Sequence, residues 1–202
     1  MPELVQLGLR PAKSTQKKET ESNISANGLK YFIKTHGCQM NYSDTERVQS
    51  KLESYGYQAA DDIKTADLVI FNTCSVKQKA EDKIFGQLKN LIPLKRKNPN
   101  LLVGLTGCMA RKTSSVNSEK RDKLLNRSKV LDFVLRIEDS AKLGSVLSEI
   151  DENLVFPDFQ EGELSNYFQI NPKYTSKFQA FVPVGTGCDK FCTYCIVPYS
   201  RG

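Results

Sequence analysis

Between residues 29 and 150, short apolar runs of strand length alternate with longer stretches whose apolar positions recur every three or four residues. "LKYFIKT", rich in β-branched and aromatic side chains and closed by Gly37, reads as a strand over 30–35. "NYSDTERVQSKLESYGY" follows with helical spacing, and Ser43 with Glu46 three residues later has the form of a capping box. "ADLVIFNTC" is a continuous apolar run with its strand at 67–72, and the segment behind it sets Val76, Ala80, Ile84 and Leu88 on one helical face. Pro93 is expected to break or restart that helix, because proline removes a backbone donor and crowds the preceding turn. "NLLVGLTGC" predicts a third strand over 101–106, "KVLDFVLRI" a fourth, and "EDSAKLGSVLSEI" a closing helix. Strands alternating with helices predict an α/β fold, a parallel sheet with helices packed against it.

The flanks read differently. Residues 1–28, lysine- and serine-rich and without aromatics, bury too little apolar surface to offset ordering entropy and are expected to form a disordered tail. Residues 151–176 hold no persistent period and read as a linker. "KFQAFVPV", 177–184, has strand character and runs directly into the cysteine-rich "GTGCDKFCTYC". The expected organisation is therefore a tail (1–28), an N-terminal domain (29–150), a linker (151–176) and the start of a second domain (177–202).

Composition narrows the chemistry. Six Cys in 202 residues is far below the density of a small secreted disulfide scaffold, and neither a signal peptide nor a membrane-length apolar run is present. A cytoplasmic location, with reduced thiols that bind metal or do redox chemistry, is the expectation. The net charge of +6 is compatible with a nucleic-acid partner. The basic runs "LKRKNP" (94–99) and "EKRDKLLNRSK" (119–129) read as solvated helix faces rather than phosphate contacts.

Cys38, Cys74 and Cys108 each stand just past a predicted strand. In a parallel sheet that puts all three at the carboxyl edge, where open α/β sheets assemble their sites. The alternative for each is a small buried hydrophobe. Their loop-like surroundings, with Gly37 and Gly107 directly before two of them, favour a shared metal site. Cys188, Cys192 and Cys195 admit a disulfide with a spare thiol, a zinc site short of a ligand, or a metal cluster with one open corner. Structural zinc takes four Cys or His ligands, and the sole His36 lies far away in sequence. Three thiolates suit a four-iron cubane whose fourth iron is left for a substrate.

The spacing C-x3-C-x2-C behind a strand resembles the signature of radical S-adenosylmethionine (SAM) enzymes. Together with "THGCQMNYSDTE", "NTCSVKQKAEDKIFGQL", "TGCMA" and "GCDKFCTYCIVPYSRG", it makes the chain from about residue 29 onward similar to the radical-SAM methylthiotransferases, closest to their tRNA branch. The resemblance implies two 4Fe–4S clusters, an auxiliary one on Cys38, Cys74 and Cys108 and a SAM-binding one on Cys188, Cys192 and Cys195. It implies SAM as cofactor, with Tyr194 near the adenine; a tyrosine packing the loop is the alternative. The implied reaction is addition of a methylthio group to carbon 2 of N(6)-isopentenyladenosine beside the anticodon, driven by radical chemistry because that C–H is beyond ordinary acid–base groups. His36 is then a neighbour of the auxiliary site, and no side chain is expected as an acid–base catalyst. Sister activities on threonylcarbamoyl-adenosine in tRNA or on ribosomal protein S12 share both trios, and a non-catalytic iron–sulfur module is the reading from another class. Implied partners are the tRNA anticodon stem-loop and an electron donor such as flavodoxin or ferredoxin, with no membrane and a monomeric enzyme. Members of the family continue through a partial barrel and a small RNA-binding β domain. The chain is thus expected to be an N-terminal fragment or one piece of a split protein, carrying only the first strand and cluster loop of the barrel and inactive alone.

Overall fold

A computed structural model describes residues 26–74, 78–113, 125, 127–156 and 164–201. Its centre is one five-stranded sheet, every pairing parallel: β1 (Lys30–His36), β2 (Gln58–Ala59), β3 (Leu68–Thr73), β4 (Leu102–Thr106) and β5 (Phe133–Val134), in the order β2-β1-β3-β4-β5. The helices are α1 (Gln39–Ser54), α2 (Gln78–Lys97), α3 (Cys108–Thr113), α4 (Leu143–Ile150), α5 (Leu164–Gln169) and α6 (Val197–Arg201). The α/β parallel-sheet reading holds.

β3 shows why the layers form. All six of its residues are buried, and because successive strand side chains point to opposite faces, it feeds two cores. Leu68 and Ile70 pack with Val48 and Leu52 of α1 and Leu143 and Leu147 of α4. Val69 and Phe71 pack with Ile84, Leu88 and Leu91 of α2 and Met109 of α3. Ile84 and Leu88 are thus on the face that periodicity predicts. Val76 lies outside the described residues, and the side chain of Ala80 is likewise undescribed.

Three local expectations are corrected. Helix α1 starts at Gln39 with Cys38 at its N-cap, and Ser43 lies buried one turn inside. The reach-back role belongs to Asn41, whose Oδ1 accepts from the Cys38 backbone N–H at 3.3 Å. Pro93 sits inside α2 without ending it. Beyond the proline the last turn is anchored by Lys95, which pairs with Asp132 and donates to the Val130 carbonyl at 3.2 Å, while buried Leu91 holds the turn before it.

The third correction concerns residues 177–184, which form no strand. A strand needs a neighbour to complete its ladder, and none of the described strands pairs with this segment. Phe178 and Val184 stand in solvent at 98% and 101% exposure. The segment is tied down instead by Ser43 Oγ, which donates to the Phe181 carbonyl at 3.1 Å.

Other segments carry more order than periodicity reveals. Of the tail, residues 1–25 lie outside the described set, while Ala26 is fully buried and its carbonyl accepts from Leu29 N–H. From the stretch read as a linker, Leu154, Phe156 and Tyr167 enter the core, with the Phe156 ring 4.4 Å from that of Tyr55. Most of the basic run at 119–129 lies outside the described residues. Among the described residues no helix is long and apolar enough to cross a membrane.

Candidate metal centre

The parallel order brings β1, β3 and β4 side by side, so the chain leaves three adjacent strands at one edge. Asn72 of β3 pairs with Thr106 of β4 at the end of their ladder, and Cys74 and Cys108 each lie two residues beyond. His36 of β1 pairs with Thr73, and Cys38 lies two residues past it. Measured along the ladder, the three cysteines fall within one residue of each other on strands spaced about 4.8 Å apart. The backbone is tight here: Cys74 N–H donates to the His36 carbonyl at 2.9 Å. Gly107, at φ +93°, leaves no room for a Cβ, which would lie 2.4 Å from Asn72 Oδ1 and 2.6 Å from the Thr73 carbonyl.

Cys74 and Cys108 are buried and Cys38 is exposed, and none of the six cysteines, all among the described residues, is joined in a disulfide. The Cys38 Sγ lies 3.6 Å from Asn41 Oδ1, and the Cys108 Sγ accepts from Arg201 Nε at 3.0 Å. Burial pushes the Cys108 thiol up from its ordinary range, against the pull of the Arg201 charge and hydrogen bond, with Cys74 and Asp44 adding to the rise. His36 turns away toward α2, its Nε2 3.0 Å from Gln87 Oε1. Among the described residues no three His, Cys, Asp or Glu side chains converge at metal-binding distances. The donor set nevertheless suits an iron–sulfur cluster: three thiols at the ends of three adjacent strands, with the one nearby imidazole, His36, turned toward Gln87.

The second trio sits in an exposed loop. Cys188 and Cys192 are exposed and Cys195 half-buried, with a turn closed by Cys195 N–H to the Cys192 carbonyl at 2.9 Å. Gly187 (φ +78°) and Phe191 (φ +47°) adopt left-handed backbone that bends the loop around a cleft of about 440 Å³ lined by Thr186, Gly187, Cys188, Asp189 and Phe191. Tyr194 is 90% exposed and does not pack the loop onto the sheet. A second cleft of about 310 Å³ lies beside Cys38, lined by Gly37, Gln39, Tyr42 and Phe181.

What joins the two regions is a buried polar cluster that spacing does not disclose. Arg201, on α6 just past the cysteine loop, donates from Nη2 to Asp44 Oδ2 at 2.7 Å and from Nε to Cys108. Tyr167 donates to the other Asp44 oxygen at 2.6 Å, and the Arg47 guanidinium lies 4.8 Å from the Tyr167 ring centre. Burial alone pulls the Arg201 guanidinium down, but the Asp44 charge and hydrogen bond outweigh it and the net movement is upward. Asp44 and Arg201 lie in "NYSDTE" and "YSRG", so the residues stand in recognisable motifs; their partnership across 157 positions does not.

Relatives share most of this chain. A protein of Dictyoglomus thermophilum named tRNA-2-methylthio-N(6)-dimethylallyladenosine synthase is 41% identical over 175 residues, 86% of this chain and 38% of its own length. Those of Chloroherpeton thalassium and Staphylococcus aureus (strain JH9), with the same name, are 35% and 36% identical over 94% and 96% of this chain. The chain spans about two-fifths of the length of these curated relatives. A family model matches residues 30–135, the span that holds all five strands and the first cysteine trio, and the chain belongs to that family, Uncharacterized protein family UPF0004.

Proposed function

We propose that the chain is the N-terminal portion of a tRNA methylthiotransferase, acting with SAM on N(6)-isopentenyladenosine next to the anticodon. The observation that carries this reading is that Cys38, Cys74 and Cys108 each stand just past the end of one of three adjacent parallel strands, with the second trio's loop fastened to the same edge through Arg201. The names of the relatives support the substrate class. In this reading residues 29–150 carry an auxiliary cluster, 151–176 link it to the rest, and 177–202 open the SAM domain. Cys38, Cys74 and Cys108 hold one 4Fe–4S cluster and Cys188, Cys192 and Cys195 the other. Once bound, these groups supply one-electron chemistry able to reach an aromatic C–H, together with an open iron for sulfur.

The protein's own contribution is placement. The first trio is held by the strand ladder and by Asn41 and Asn72 beneath it, and the second by the turn from Cys192 to Cys195. The exposed Tyr194 ring offers an apolar face for the adenine of SAM. Three-plus-three thiols favour the enzyme over an electron carrier, which closes each cluster with four. The setting is cytoplasmic and reducing, the enzyme is monomeric, and a flavodoxin- or ferredoxin-like protein delivers electrons.

Anaerobic iron and sulfide reconstitution tests the ligand assignment. Two 4Fe–4S clusters give about eight irons per chain. Replacing Cys188, Cys192 and Cys195 with Ala is expected to remove half and leave the first trio loaded; replacing Cys38, Cys74 and Cys108 does the converse. Loss of all iron from either triple variant would mean one shared site, and one or two zincs in its place would mean a binding module.

A further inference from the structure

Arg201 is 7% exposed, yet it belongs to a five-residue helix at the end of a mostly exposed loop. A guanidinium is brought out of water only when its donors are satisfied, and here the fork is divided between two elements. Nη2 serves Asp44 on α1, which is fully buried, and Nε serves the Cys108 sulfur at the start of α3. Asp44 is itself aimed by Tyr167 from α5. The Arg201 carbonyl accepts from Thr186 Oγ1 at 3.5 Å, so the same residue closes the loop that carries Cys188, Cys192 and Cys195. In sum, one side chain touches a ligand of the first trio while its backbone ties off the second.

We propose that Arg201 is a positioning residue that clasps the two cysteine sites together: its guanidinium, shared between Asp44 and the Cys108 sulfur, fixes the second trio's loop against the sheet edge that carries the first. The clasp itself stands on the hydrogen bonds; its meaning as a link between two clusters rests on the function proposed above. Because a donor to a ligand sulfur stabilises the reduced, more negative form of a cluster, Arg201 also raises the potential of whatever cluster Cys108 helps hold.

Two measurements on the 202-residue chain separate these statements. In the metal-free, reduced protein, Arg201→Gln is expected to speed amide hydrogen exchange over 196–201 by about tenfold or more while leaving β3, residues 68–73, unchanged. Asp44→Asn, which keeps the volume and removes the charge, is expected to act on the same segment in the same direction. In the Cys188, Cys192 and Cys195→Ala background, reconstituted with iron, Arg201→Gln is expected to lower the midpoint potential of the remaining cluster. Arg201→Lys keeps the charge beside Asp44 but serves one partner, so it is expected to restore slow exchange without restoring the potential. Unchanged exchange over 196–201, or an equal rise over 68–73, would overturn the clasp. An unshifted potential would overturn the link to the Cys108 site. Failure of the first trio to bind iron would sink the ligand assignment while the exchange experiment still decides the clasp.

Discussion

Asn41 and Asn72 hold each other across the first cysteine site. The Asn41 amide donates to Asn72 Oδ1 at 2.9 Å, and the Asn72 amide donates back to the Asn41 carbonyl at 2.7 Å and to Thr45 Oγ1 at 3.0 Å. Both asparagines are fully buried. Asn41 follows Cys38 by one turn and Asn72 precedes Cys74 by two residues, so the pair sets the relation between two of the three thiols. Thr35 extends the network into β1 through its 2.7 Å contact with Thr45.

Asn72→Ala is accordingly expected to destabilise the fold by about 1–3 kcal/mol, the cost of leaving buried amide and carbonyl groups unpaired. A denaturant titration reads this as a lower midpoint with an unchanged slope. Iron uptake by the first trio, with the second replaced by Ala, is expected to fall in the same variant. Full stability would show that water fills the gap and satisfies Asn41.

The glycine ahead of Cys108 supplies a sharper contrast. Gly107→Ala puts a Cβ against Asn72 and the Thr73 backbone at a positive φ, and a loss of about 1–3 kcal/mol is expected. Gly86, inside α2, has open space where an alanine methyl would stand, with nothing within 4 Å, so Gly86→Ala is expected to gain about 0.5–1 kcal/mol. Thermal melts of the two variants should move in opposite directions. The same substitution is thus harmful at the site and helpful away from it.

The sheet was legible in the sequence because its inner strands are continuous apolar runs, and buried parallel strands need little else. The three cysteine positions followed from that, since each ends such a run. What escaped were features with no period. Two-residue β2 leaves no pattern, and the strand character of 177–184 is a property of its residues that only a neighbouring strand can realise. Ser43 and Glu46 match a capping box by spacing, yet the helix begins earlier because Asn41 can reach back to Cys38. The Asp44–Arg201 contact, like the burial of Phe156, joins residues too far apart for any local signal.

Phe156 tests that last kind of contact. Its ring packs 4.4 Å from Tyr55 and 6.2 Å from Tyr57, and a Cβ at Gly144 would lie 2.9 Å from its own Cβ. Phe156→Ala is expected to cost about 3 kcal/mol, as for other large-to-small changes in a core. A chain ending at residue 150 lacks Leu154, Phe156 and Tyr167 as well, so it is expected to unfold at lower denaturant than one ending at 170. Equal midpoints would mean that the core closes without this segment.

The pH dependence of stability offers a separate test through Lys51, whose residue is 8% exposed and whose Nζ lies 5.1 Å from the Tyr55 ring centre. Burial pulls its ammonium down from the ordinary 10.5 to about 8. Between those values the unfolded chain binds the proton that the folded one has released, so stability rises with pH across the window. Tyr31, Tyr57 and Tyr167 act oppositely: burial pushes them up, and the stability this represents is intact below their ordinary value of 10.0 and lost above it. The Lys51 contribution is therefore read between about pH 8 and 10. Lys51→Met removes it, and the stability difference between native chain and variant is expected to shift in favour of the native chain by about 1–2 kcal/mol over that range. A difference that stays flat with pH would mean that solvent reaches the ammonium and holds it near its ordinary value.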